Sequence, residues 1–136
     1  VCELYSEGWG VHPEPLVFSY LATVQPGVAK AWIRHLRQDD RIAVIFGRLL
    51  WVLYDDREGS PTRGTVQRFT TTERNRLLFT IPVGVWHGVQ NVGEVEAAFV
   101  NMPTRPYDHA APDKERLPAD SDAIPFRFQP LDARSG

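Results

Sequence analysis

Four histidines stand in this chain, His12, His35, His87 and His109, and histidine is the side chain best suited to take and return a proton near neutral pH. His35 lies two residues after Ile33 in the run KAWIRH. On a strand these two residues face the same way, about 6 to 7 Å apart. Asp40 follows five residues after His35, near enough to stabilise an imidazolium there and to fix its tautomer. His87 begins another apolar run, just after a turn containing Pro82 and Gly84. General acid–base catalysis is the chemistry such groups supply; the alternative role for both is an inert, hydrogen-bonded polar lining. His12, between Val11 and Pro13, and His109, in a proline-rich stretch, are expected to be solvated loop residues.

The elements that must position these groups read as strands. Segments rich in β-branched and aromatic residues occupy 16–24, 28–33, 42–46, 48–54, 65–70, 77–81, 86–90 and 95–102, and no stretch has the periodicity of an amphipathic helix. Short strands separated by Gly, Pro and Asp predict a sandwich or barrel. Residues 55–64, DDREGSPTRG, form a polar turn cluster, and 71–75 a second polar loop or a single helical turn. Trp32, Trp51 and Trp86 fall on strands and are expected in the core or barrel wall, whereas Tyr20 and Tyr54 have no special context. From Pro103 onward the chain is proline-rich and charged, a tail expected to be pinned by Tyr107, Ile124 and Phe126.

With 136 residues, 43% of them hydrophobic and 24% charged, the composition is that of an ordinary globular domain. One domain over 1–136 is expected, with the barrel at about 14–102 and a surface-running tail at about 103–136. A net charge of −2 argues against nucleic acid as the main partner, and no apolar run approaches the roughly 18 to 20 residues of a membrane span. Of the 15 basic residues only Lys30 and Lys114 are lysines, leaving 13 arginines. A coding bias accounts for this, or a use for side chains that grip carboxylates and phosphates. The single Cys2 excludes an internal disulfide and points to a reducing compartment. Together with the lack of a secretory signal at the start, it makes a cytoplasmic location the expectation. The chain opens on Val1 and its only methionine is Met102, so a few residues are expected to precede it.

Two motifs give the barrel a closer description. Gly27, Ile33, His35, Asp40 and Gly47 resemble the first cupin motif, with isoleucine at its first histidine position. Pro82, Gly84, His87 and Asn91 resemble the second, with Arg76 where a leading glycine is usual. The resemblance implies an all-β cupin jelly-roll with an irregular, proline-rich C-terminal tail, in which His35 and His87 face one cavity. A narrower resemblance covers 1–128. The runs VCELYSEGW, WVLYDDREGSPTRG, IPVGVWHGVQNVG, NMPTRPYD and PDKERLP are similar to the dTDP-4-dehydrorhamnose 3,5-epimerase family, in its shorter, divergent branch. That resemblance implies a homodimer handling nucleotide-linked 4-keto-6-deoxy sugars by proton transfer beside the ketone, with no cofactor and no metal.

Measured against that family, the binding features are kept better than the catalytic ones. The base position falls on Ile33, which carries no proton, and loss of a general base typically costs about 10²- to 10⁴-fold in rate. The basic residue near the oxyanion falls on Arg41. The tyrosine acid is expected near Val100 and Asn101, where no tyrosine stands, and no aspartate is recognisable in the C-terminal part to orient the base. Lys30 stands near the expected diphosphate, Arg57 with Ser60, Pro61 and Thr62 keeps its loop, and Tyr107 could pin the tail or reach a substrate. The resulting expectation is an epimerase-like isomerase, with altered or lost activity, using His35, His87, Asp40 and Arg41 for catalysis and Lys30, Arg57 and Tyr107 for binding. Two alternatives stay open: a non-catalytic small-molecule binder, and a metal-dependent cupin using His35, Asp40 and His87 with Fe(II), Mn(II) or Zn(II).

Overall fold

A computed structural model describes residues 1–130; the remaining residues of the expected tail, 131–136, lie outside the described residues. Among the described residues, nine strands follow one short 3-10 turn at Glu7–Trp9: β1 Tyr20–Val24, β2 Ala29–Arg34, β3 Asp40–Phe46, β4 Leu49–Tyr54, β5 Val66–Thr71, β6 Leu78–Ile81, β7 Trp86–Asn91, β8 Ala97–Asn101 and β9 Glu115–Arg116. They form two antiparallel sheets, in the orders β1-β8-β3-β6 and β5-β4-β7-β2-β9. Strands adjacent in space are mostly distant in sequence, as in a jelly roll. The polar segment 55–64 connects β4 to β5 as expected.

Two apolar clusters hold the sheets. Between them, Trp51 packs edge-on against Phe79 and Phe99, with ring centroids 5.1 and 5.0 Å away. Next along β4, Val52 faces the other way and joins Trp32, Trp86 and Ile124, as strand alternation requires. Leu117, Phe126 and Phe128 complete this second cluster. All three tryptophans expected in the core or wall are buried.

Glycine is required at one turn in particular. Gly47, between β3 and β4, has φ +89°, and a Cβ there would lie 2.3 Å from the Ala97 Cβ. Both facts exclude an ordinary side chain.

Most strand ends shift by one or two residues from the expected segments, and two departures are larger. Segment 16–24 is paired only from Tyr20, because its partner β8 ends at Asn101, directly opposite Tyr20, and Pro103 soon follows with no N–H to donate. In the tail, Glu115–Arg116 pairs with β2 as strand β9, opposite Ile33 and Arg34. Two residues are too few for periodicity to reveal.

Candidate functional site

One cavity of about 450 Å³ opens between the sheets, and both motif histidines line it together with Asp40, Ile33, Tyr20 and Asn101. Each sheet contributes one side of the constellation. His35 follows the end of β2 and His87 is the second residue of β7, both in the five-stranded sheet, while Asp40 opens β3 in the four-stranded one. His87 pairs in register with Ile33, so the two side chains are direct cross-strand neighbours.

Asp40 is the hub. Its Oδ2 lies 3.1 Å from His35 Nε2 and 3.6 Å from His87 Nε2, and its Oδ1 accepts a 2.8 Å hydrogen bond from the Gln38 amide. The opposite nitrogens fix both tautomers. His35 Nδ1 donates to the Asp113 carbonyl at 2.5 Å, and His87 Nδ1 to the Val85 carbonyl at 3.1 Å; a carbonyl only accepts, so each Nδ1 carries a hydrogen. The Asp113 carboxylate in turn accepts the backbone N–H groups of Leu36, Arg37 and Gln38. The tail therefore fixes the loop that carries His35.

The two histidines differ in electrostatics as they do in bonding. Burial works against a charged His35, but its bond to Asp40, the Asp40 charge and the Asp113 carbonyl outweigh it and raise the pKa above the ordinary 6.5. For Asp40, burial works against the carboxylate, and the His35 bond with the charges of His87 and His35 outweighs it, lowering the pKa. Both shifts favour the charged forms of His35 and Asp40, whose side chains meet at 3.1 Å. At His87 burial dominates and lowers the pKa, although Asp40 and the Val85 carbonyl oppose it. His87 is accordingly neutral at pH 7, and its unprotonated Nε2 lies beyond hydrogen-bonding distance of Asp40. Both nitrogens of His35 are engaged; one nitrogen of His87 is not.

The remaining sequence-nominated residues are dispersed. Lys30 lines the cavity rim and donates to the Thr23 carbonyl at 2.8 Å. Tyr107 lines a neighbouring cavity of about 530 Å³ with Arg37, Arg105 and Lys114, and that cavity shares Tyr20, His35 and Lys114 with the first. Arg41 does not line the histidine cavity. Asp40 faces inward, so its chain neighbour faces away, and the fully buried Arg41 guanidinium is spent on the carbonyls of Met102, Glu14, Pro15 and Pro103 and on the Tyr5 hydroxyl. Arg57 is likewise outside it, clamped to Asp55 at 2.9 Å in the 55–64 loop. Arg57, Ser60 and Thr62 together hold the Asp55 carboxyl well below the usual carboxylate range.

Three residues were missed. Asp113 orients His35 from the tail. His12 is not solvated but paired with Asp39 at 2.7 Å. Tyr20 lines both cavities and accepts a 2.9 Å hydrogen bond from the Asn101 amide; burial raises its pKa, against the effect of that bond. For Tyr20 a signal existed only in the strand pairing, since Asn101 lies 81 residues away in the chain.

A jelly roll whose inter-sheet cavity carries His35, Asp40 and His87 is a cupin. No protein-family model matches the chain, but its relatives are specific. It is 38% identical over 119 residues to a probable low-salt glycan biosynthesis epimerase, Agl13, of Haloferax volcanii, covering 87% of this chain and 76% of that protein. It is also 38% identical over 103 residues to the spore coat polysaccharide biosynthesis protein SpsL of Bacillus subtilis, covering 76% and 68%. Among solved structures, a dTDP sugar isomerase from Desulfovibrio desulfuricans superposes with a TM-score of 0.83 at 33% identity, covering 93% of this chain and 79% of that one. The chain belongs to the dTDP-4-dehydrorhamnose 3,5-epimerase-like family.

Proposed function

We propose that this protein isomerises a nucleotide-linked 4-keto-6-deoxy sugar by moving a proton on a carbon beside the ketone, with His87 as the base. The observation that carries the reading is the placement of the His87 ring. Its Nδ1–H is held by Val85, and its free Nε2 faces the cavity directly across from Ile33. The proton arrives on Nε2 as the C–H electron pair moves into an enolate. The carboxylate of Asp40, 3.6 Å away, stabilises the imidazolium that forms. His35 holds Asp40 in place and is a positioning residue. The second cavity, with Tyr107, Arg37, Arg105 and Lys114, offers an aromatic face and cations of the kind that hold a base and diphosphate. Lys30 stands at the rim of the first cavity, whereas Arg57 holds its own loop.

The direct test is conversion of a dTDP-4-keto-6-deoxyhexose by the wild-type protein and by His87→Gln. Epimerised sugar from the wild type, reduced about 10²-fold or more in the variant, is expected from loss of a general base. Equal conversion by both proteins removes His87 from the mechanism. No conversion by the wild type, with nucleotide bound, leaves a binding protein.

A second reading has its own observation. His35, Asp40 and His87 bring one ligand atom each within 4.8 Å of one another, and both histidines present Nε2 while Nδ1–H is held by a carbonyl, as in many metal-binding histidines. Such a two-histidine, one-carboxylate set suits Fe(II), Mn(II) or Zn(II). Metal content that stays substoichiometric after reconstitution with each ion removes this reading.

A further inference from the structure

Inverting a carbon needs a proton taken from one face and another returned to the opposite face. If His87 takes the proton from one side of the cavity, a donor on the facing sheet is placed to return one from the other side. From the geometry we infer that Tyr20 is that donor, delivering its phenolic proton across the cavity from β1 while His87 works from β7. This rests on the isomerase reading above.

Three observations place the hydroxyl for the task. Tyr20 belongs to the four-stranded sheet and His87 to the five-stranded one, and both line the same cavity. The Tyr20 oxygen accepts the Asn101 amide at 2.9 Å, and no acceptor for its own hydrogen is found among the described residues, so that hydrogen is available to donate. Asn101 is 2% exposed, and its Oδ1 has no hydrogen-bond partner. Its amide bond to the phenol fixes where the Tyr20 oxygen sits. The register supports the same assignment. Tyr20 is the direct partner of Asn101 on β8, as His87 is the direct partner of Ile33 on β2.

The step balances without an oxidant. His87 Nε2 gains the proton from carbon, and the C–H pair becomes the enolate. Tyr20 then forms the new C–H bond as its O–H bond breaks, leaving a phenolate that water reprotonates, while the imidazolium returns its proton to water.

The test separates proton removal from inversion. Tyr20→Phe keeps the ring that packs against Phe18 with centroids 5.9 Å apart; Tyr20→Phe with Asn101→Leu also removes the unpaired amide, so it controls for a folding defect. Each is incubated with a dTDP-4-keto-6-deoxyhexose in D₂O. The expected result is deuterium entering beside the ketone within about 3-fold of the wild-type rate, with epimer formation down by about 10²-fold or more, the usual scale for a lost general acid. Inversion at the wild-type rate, or exchange and inversion falling together in both folded variants, overturns the assignment while leaving His87 as base. A wild-type protein that exchanges no deuterium overturns the isomerase reading, and this inference with it.

Discussion

Replacing His35 with asparagine should have a different effect from replacing His87, although the two rings lie only 5.4 Å apart. His87 offers a free Nε2, whereas His35 is engaged at both nitrogens. Its loss should lower turnover by about 10-fold through misplacement of Asp40, smaller than the about 10²-fold or greater loss for His87→Gln; steady-state kinetics of the two variants checks the ranking. The pH profile makes a second prediction. Because the pKa of His87 is lowered from 6.5, the base stays unprotonated as pH falls through 6.5, and kcat/KM should hold level there before dropping at lower pH. A fall centred above 6.5 would assign the base to His35, whose pKa is raised. Stability follows the same signs. The contribution of His35 is full below 6.5 and is lost as pH rises through its raised folded value, while that of Asp40 is present above 3.8 and is lost as pH falls through its lowered one. At this scale the sequence was legible where spacing is local: His35 with Asp40, and His87 after its turn. Arg41 lies outside the histidine cavity because strand alternation turns it away from the side Asp40 faces, and the Tyr20–Asn101 contact was not legible because the two are 81 residues apart in the chain.

At the scale of elements, the tail does more than follow the surface. Strand β9 closes one edge of the sheet carrying both histidines, and Ile124, Phe126 and Phe128 cover Trp32 on that sheet's other face. Ile124→Ala should therefore destabilise the fold by about 2–5 kcal/mol, the usual cost of truncating a fully buried aliphatic side chain, measured by denaturant unfolding. Gly47→Ala should cost about 2 kcal/mol or more in the same assay, because it combines a left-handed backbone with a 2.3 Å clash against Ala97. The cores of the strands were legible because apolar runs between Gly, Pro and Asp report burial directly. Their ends were not, since pairing stops where a partner strand stops. Residues 16–19 have strand composition but lie past the end of β8, and β9 has too few residues to show a period.

For the whole molecule, β1 forms an open edge of its sheet, with Leu16, Val17 and Leu21 exposed beside it. Such an edge favours pairing with another chain. Light scattering at micromolar concentration should give a homodimer, and a monomer would contradict that part of the account. Among the described residues no helix is long and apolar enough to cross a membrane. Ile33, where the family resemblance puts the base, pairs directly with His87, and of Val100 and Asn101, near which it puts the tyrosine acid, Asn101 pairs directly with Tyr20. That the cavity still moves protons beside a ketone is the central claim, and the wild-type protein can answer it alone. In D₂O with a dTDP-4-keto-6-deoxyhexose, NMR should show deuterium appearing at a carbon flanking the ketone at a rate proportional to enzyme concentration. Nucleotide binding without any enzyme-dependent deuterium incorporation would contradict it.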